Sequence, residues 1–342
     1  MVQTRGLVVN AGASDGSAAR QRDAAARQGD GATRRRGDLL KLTLADKVVV
    51  VYLALIALLI LIFSYRIEFW GWLCVGHAVF IALVVLLTKW DDPVSRSRSR
   101  PISPSARRPL SSFVHGWYPV ALMGPTYKEL TYLIPRIHPR DFDSVLAAID
   151  HRIFGVHPTV WLERFTWPAL TEVLQLTYST YYFLPVVLGV VLWKTDSLEK
   201  FHFVVFVVVL GFYVSYLGYI AVPAIGPRFL ASIAEAQTTQ LTGLLFFQPV
   251  RRLLDSAEGI TRDCFPSGHT ELTLLVLYYA RKFHRRTFWF LLPFGAGIVL
   301  STVYLRYHYV VDVVAGVVVA FAIIAITRPV FNKVITREGQ PA

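Results

Sequence analysis

The stretch FHFVVFVVVLGFYVSYLGYIAV, residues 201–222, decides the class of fold. It holds no Asp, Glu, Lys or Arg, and coiled at 1.5 Å per residue it reaches about 33 Å, enough to cross the hydrocarbon core of a bilayer. Comparable apolar runs occupy residues 48–65, 69–88, 170–193, 269–283, 288–305 and 310–327. A weaker run, 117–134, is interrupted by Gly124, Pro125, Lys128 and Glu129. With 54% hydrophobic and 17% charged residues among 342, the chain carries more apolar surface than a soluble core of this length needs. The fold class that follows is all-α, a polytopic membrane helix bundle.

Charge placement orders the runs. The net charge is +12, and residues 1–41, 89–109 and 281–286 each contribute a net four positive charges. These lie in tails and short loops beside apolar runs, not on one face with interleaved aromatics, so they read as cytoplasmic topology signals and exclude a nucleic-acid partner. All three fall on one side only if 117–134 also crosses. The resulting expectation is eight spans with both termini cytoplasmic: a disordered cytoplasmic tail over 1–40, a transmembrane hairpin over 41–90, a basic linker over 91–110, a six-helix catalytic membrane domain over 111–330, and a cytoplasmic tail over 331–342. Residues 141–165, with Phe142, Val145, Leu146, Ile149, Ile153 and Phe154 at helical spacing, predict an interfacial amphipathic helix. Cys74 and Cys264 are the two cysteines, and they make no disulfide framework.

Under this topology three polar motifs converge on the non-cytoplasmic face. His308 and Asp312 are four residues apart, so a helix stacks them on one face. A carboxylate on one imidazole nitrogen leaves the other free to attack, the logic of an oriented nucleophile. His269 opens a span directly after Pro266-Ser267-Gly268, where helix amides favour an anion, and is placed to act as general acid and base. Ser267 and Gly268 go with it as phosphate-binding residues. Arg228 and Arg306 offer planar charged forks suited to phosphate oxygens, although an arginine at a span end also snorkels to headgroups. Arg262 and Glu271 flank the second motif and are balanced between substrate and solvent. Tyr304, Tyr307 and Tyr309 predict an interfacial aromatic belt. Cys74, His77 and His202, within apolar runs, predict packing residues. His115, His138, His151 and His157 lack paired ligand spacing, so neither a metal nor another cofactor is expected.

At these residues the sequence resembles the type 2 phosphatidic acid phosphatase superfamily, which shares its site with vanadium haloperoxidases. The resemblance covers roughly residues 110–330 and implies a six-helix phosphatidic acid phosphatase-like core beyond the N-terminal pair. Pro266, Ser267, Gly268 and His269 match the second motif, and the acid histidine falls on His269. Ser301, His308 and Asp312 match the third, but Thr302 stands where the phosphatases have arginine, and Arg306 comes two residues before the histidine. In the first motif Ala221 replaces a lysine and proline precedes Arg228. The shifted Arg306, the Tyr-His-Tyr-x-x-Asp form and the segment from Ala148-Ile149-Asp150 to Phe154-Gly155-Val156-His157-Pro158 are similar to the branch containing inositolphosphorylceramide synthases, whose members move a phosphorylated headgroup between lipids.

The expected function is therefore an integral membrane phosphotransferase or phosphatase acting through a phosphohistidine on a phospholipid or isoprenyl phosphate, among membrane lipids. Water, an alcohol or a sphingolipid is the acceptor, and the setting is the plasma (inner) membrane. The alternative from another class is a non-catalytic lipid-binding or transport protein on the same fold.

Overall fold

The computed structural model describes residues 42–91, 109–195, 198–258 and 262–338. The expected tail over 1–40 and nearly all of the basic linker lie outside the described residues. Every regular element within them is helical: α1 Leu44–Ile62, α2 Trp70–Trp90, α3 Leu110–Ile137, α4 Asp143–Phe154, the short α5 Pro158–Trp161, α6 Pro168–Ser179, α7 Phe183–Thr195, α8 Leu198–Ala221, α9 Ala231–Ala236, α10 Phe247–Glu258, α11 Gly268–Phe283, α12 Arg285–Tyr304 and α13 Val310–Glu338.

Local chemistry sets the boundaries. Thr43 and Asp46 form a capping box at the start of α1, satisfying amides that the helix itself cannot. Gly155, at φ 71°, ends α4, and Ser267 caps α11 by accepting from the Thr270 amide. Apolar side chains cover α1 and α2 on more than one face. Val51, Leu58 and Ile62 on α1 and Trp72, Val79 and Leu86 on α2 are exposed, the pattern of helices meant for lipid. Since lipid tails compete with apolar contacts, close packing and buried polar bonds must hold the bundle together. One such set joins the N-terminal hairpin to α3: His115 lies between Asp91 (2.8 Å) and Asp46 (3.1 Å), and the Tyr118 hydroxyl donates to Asp46. His77 behaves as the packing residue expected, buried, with Nδ1 2.8 Å from the Leu73 carbonyl and Nε2 3.3 Å from Glu129.

Among the described residues, five helices, α1, α2, α8, α12 and α13, are long and apolar enough to cross a membrane, and the pair α6 and α7, bent by 49°, makes six if it is one broken span. The two other expected spans are helices that fall short of that standard. α3 has 28 residues but carries Pro119, Pro125 and Pro135 inside it along with Lys128 and Glu129, and α11 has only 16 residues. α11 is nevertheless central, packed against α8, α12 and α13. α13 continues to Glu338, into the segment expected as a tail.

Candidate active site

The turn between α12 and α13 presents His308. α12 stops at Tyr304; the amides of Tyr307 and His308 then both donate to the Thr302 carbonyl at 2.9 Å, closing a tight loop. Arg306 sits at φ 67° in that loop, a left-handed conformation that costs an arginine about 1 kcal/mol or more. Its side chain holds the strained residue in place, donating to Glu163 (2.9 Å), Gln237 (2.9 Å) and the Thr239 carbonyl (2.6 Å). Burial lowers the pKa of its guanidinium and Glu163 opposes that shift. Arg306, expected to grip phosphate, is thus engaged by protein groups and secures the turn.

His269, in the first turn of α11, and His308, in the turn before α13, meet. Nδ1 of His269 lies 3.5 Å from Nε2 of His308, with ring centroids 5.6 Å apart. His308 Nδ1 faces the Cys264 carbonyl at 2.9 Å and Asp312 Oδ2 at 3.5 Å. A carbonyl can only accept, so Nδ1 carries the proton and the lone pair sits on Nε2, toward His269. The sequence identified the carboxylate as the orienting group, but the nearer partner is the Cys264 backbone, which a residue pattern cannot disclose. Asp312 Oδ2 instead accepts from the Tyr309 amide and the Cys264 thiol, both at 2.9 Å. The break between α6 and α7 places two rings on His269: Tyr178 stacks on it at 4.5 Å and Tyr181 lies at 4.2 Å. Tyr178 also stacks on Tyr307 at 4.5 Å.

Two carboxylates of α4 tie the loops together. Asp143 accepts from the amides of Ile225 (2.9 Å) and Gly226 (2.8 Å) and from the Tyr309 hydroxyl (3.0 Å), linking the Arg228 loop to the His308 turn. Asp150 accepts from Val310 (2.7 Å) and Val311 (2.9 Å), the opening amides of α13, where a negative charge also complements the helix dipole. Backbone bonds from Cys264 to Ala224 and from Ser267 to Asp312 complete the connection. At Gly226, φ is 107° and a Cβ would lie 2.7 Å from the Tyr307 carbonyl oxygen, so a side chain there would force the two loops apart. The amphipathic helix expected over 141–165 is present, shortened to α4 and followed by two further short helices. Its apolar stripe, Val145, Ile149 and Ile153, is exposed while Asp143 and Asp150 are buried. Asp143 as a site residue was missed, and its only signal was an acid on the inward side of that helix.

The remaining expected site residues are distributed as follows. Arg228 pairs with Asp255 at 2.9 Å, and its guanidinium carbon lies 4.7 Å from the centroid of the Tyr307 ring. The Ser267 hydroxyl is taken up by Thr270 as a helix cap and does not reach toward the histidines' nitrogens in any bond described. Gly268 permits close packing, since a Cβ would sit 2.4 Å from the Tyr219 hydroxyl oxygen. Arg262 is bonded to Asp141. Glu271 meets neither substrate space nor solvent, because it is fully buried and accepts from Ser215 between α8 and α11. The aromatic belt is corrected too: Tyr304 and Tyr309 are 4% and 1% exposed, and they bond to Thr171 and Asp143. The turn folds Tyr304 and Tyr309 inward and leaves Tyr307 half-buried.

Among the described residues, Cys264, His308 and Asp312 form a set able to offer three ligand atoms to a metal, all within 4.8 Å of one another. Residues 144–326 match the model of the PAP2 superfamily. No curated protein and no solved structure matches the chain. The family match covers more than half of the sequence, from α4 into α13, and the chain belongs to that superfamily.

Proposed function

We propose that this member of the PAP2 superfamily is a lipid phosphatase or phosphotransferase that works through a phosphohistidine on His308. The observation that carries the reading is the imidazole pair, with 3.5 Å between His308 Nε2 and His269 Nδ1 and the other nitrogen of His308 turned to a carbonyl. Nε2 attacks phosphorus, the bond to the leaving oxygen breaks, and His269 supplies the proton that oxygen needs. In the second half the roles reverse: His269 takes a proton from the incoming hydroxyl, whose oxygen attacks phosphorus and frees His308. Arg228 and the amides that open α11 stabilise charge on the phosphoryl oxygens. Arg306 and Asp312 act on the turn, and through it on the nucleophile.

The donor is a phospholipid or isoprenyl phosphate presented at the non-cytoplasmic face of the plasma membrane. The similarity to the inositolphosphorylceramide synthase branch supports transfer to a lipid or other alcohol beside hydrolysis. Incubating purified protein with labelled phosphatidic, isoprenyl and inositol phospholipid donors, with and without alcohol acceptors, and reading the products by mass spectrometry tests this. Turnover of at least one donor is expected, together with an acid-labile, base-stable phosphoenzyme that disappears in His308→Gln. A variant that retains turnover without that histidine would refute the assignment.

A further inference from the structure

Cys264 plays no chemical part in the reaction just described, yet its thiol is inserted between the nucleophile and its carboxylate. Sγ lies 2.9 Å from Asp312 Oδ2 and 3.5 Å from His308 Nδ1, and Nδ1 lies 3.5 Å from Oδ2. Around a tetrahedral zinc ion, with bonds of about 2.3 Å to sulfur and about 2.0–2.1 Å to nitrogen and oxygen, the ligand separations are about 3.6 Å for sulfur to nitrogen, about 3.4 Å for nitrogen to oxygen and about 3.6 Å for sulfur to oxygen. Two of the three separations already have these values. The third is held short by the thiol hydrogen bond and opens by about 0.7 Å once that proton is gone.

A second observation is independent of this spacing. Asp312 is fully buried, and its Oδ1 has no hydrogen-bond partner among the described residues. An orphaned carboxylate oxygen is costly in a protein interior, and a cation bound through the Oδ2 of the same carboxylate lowers that cost. The surroundings have the right sign. Asp312, Asp143 and Asp263 surround the thiol with negative charge, and a bound divalent cation takes a coordinating thiol directly as the thiolate. Zinc with a thiolate, a carboxylate and a neutral imidazole is a neutral unit, suited to a buried site.

We propose that Cys264, His308 and Asp312 form a site for a thiophilic divalent metal of the zinc class, and that its occupancy switches the enzyme off. The inference rests on His308 being the nucleophile. Binding forms bonds from the metal to sulfur, Nδ1 and a carboxylate oxygen, releases the thiol proton to solvent, and moves the imidazole proton from Nδ1 to Nε2. No electron transfer is involved. The lone pair that attacks phosphorus is then absent. Magnesium and calcium, which favour oxygen ligands, do not compete.

The test uses the full chain, purified and stripped with a chelator, then titrated with Zn2+ or with Co2+ as a spectroscopic probe. One equivalent of metal is expected per chain, with a thiolate-to-cobalt charge-transfer band. Zinc should suppress turnover at least about tenfold, chelator should restore it, and magnesium should do neither. In Cys264→Ser the band should vanish, and inhibition, measured against that variant's own metal-free rate, should weaken about a hundredfold. Failure to bind metal, a band without loss of turnover, or inhibition unchanged in Cys264→Ser would each overturn the proposal. If instead metal-free His308→Gln still turns over, the nucleophile assignment falls, while the cobalt band of the wild-type chain still reports the metal site.

Discussion

Replacing Asp150 with alanine should damage catalysis without touching a group that meets substrate. Its carboxylate receives the Val310 and Val311 amides at 2.7 and 2.9 Å, and both would be left unpaired in a half-buried place. Each orphaned donor costs about 1–3 kcal/mol. Part of the loss is returned, because burial raises the pKa of Asp150, against the pull of those two amides, and the nearby Asp312 charge raises it further. A net loss of about 3 kcal/mol is therefore expected for Asp150→Ala, and about 1 kcal/mol for Asp150→Asn, which keeps an acceptor oxygen but not the charge. Val310 and Val311 lie between His308 and Asp312, so a loosened start of α13 displaces His308, the proposed nucleophile. A shift of about 1 Å can cost a hundredfold in rate, and we expect kcat to fall by about tenfold to a hundredfold with little change in KM. Denaturant unfolding in one detergent, paired with initial rates on the same preparations, measures both effects. Wild-type stability together with wild-type kcat in Asp150→Ala would refute the reasoning. A loss in the asparagine variant as large as in alanine would show that charge, not acceptor geometry, does the holding.

Two further outcomes follow from the geometry. Asp255 holds the guanidinium assigned to phosphate, and because the pair is partly exposed it is worth at most about 1 kcal/mol. Asp255→Asn should lower KM by about two- to fivefold at constant kcat, as read from initial rates over a range of donor concentration. His157 is depressed below its ordinary pKa by burial and then by His151, whose ring lies 5.0 Å away. Between that depressed value and about 6.5 the unfolded chain binds more protons than the folded one, so this contribution to stability is complete at higher pH and declines as pH drops below about 6.5. Unfolding midpoints at pH 7.5 and 5.5 should differ less in His157→Gln than in the parent.

Much of the bundle was legible because lipid-facing helices announce themselves in uninterrupted apolar sequence; the hairpin α1 and α2 and the long α8 are examples. The span count was less legible. α11 is short and α3 is polar and proline-broken, and the protein around them, not their composition, makes them helices of the bundle. The two histidines were readable because each sits in a compact local motif at the end of an apolar run. Asp143 and the Cys264 carbonyl were not, since their relation to His308 spans more than a hundred residues in one case and resides in the backbone in the other. Arg306 was legible as a candidate clamp beside His308, but its left-handed backbone and its bonds to Glu163, Gln237 and Thr239 were not, because those partners lie at least 67 residues away in sequence.

α4 has a consequence beyond the loops it ties. The same twelve residues offer carboxylates to the amides on one side and a greasy strip, Val145, Ile149 and Ile153, on the other. If α4 lies at a bilayer surface and His308 is the nucleophile as proposed, lipid that presses on this strip is expected to change the rate, and turnover compared in bilayers of different acyl-chain length tests it.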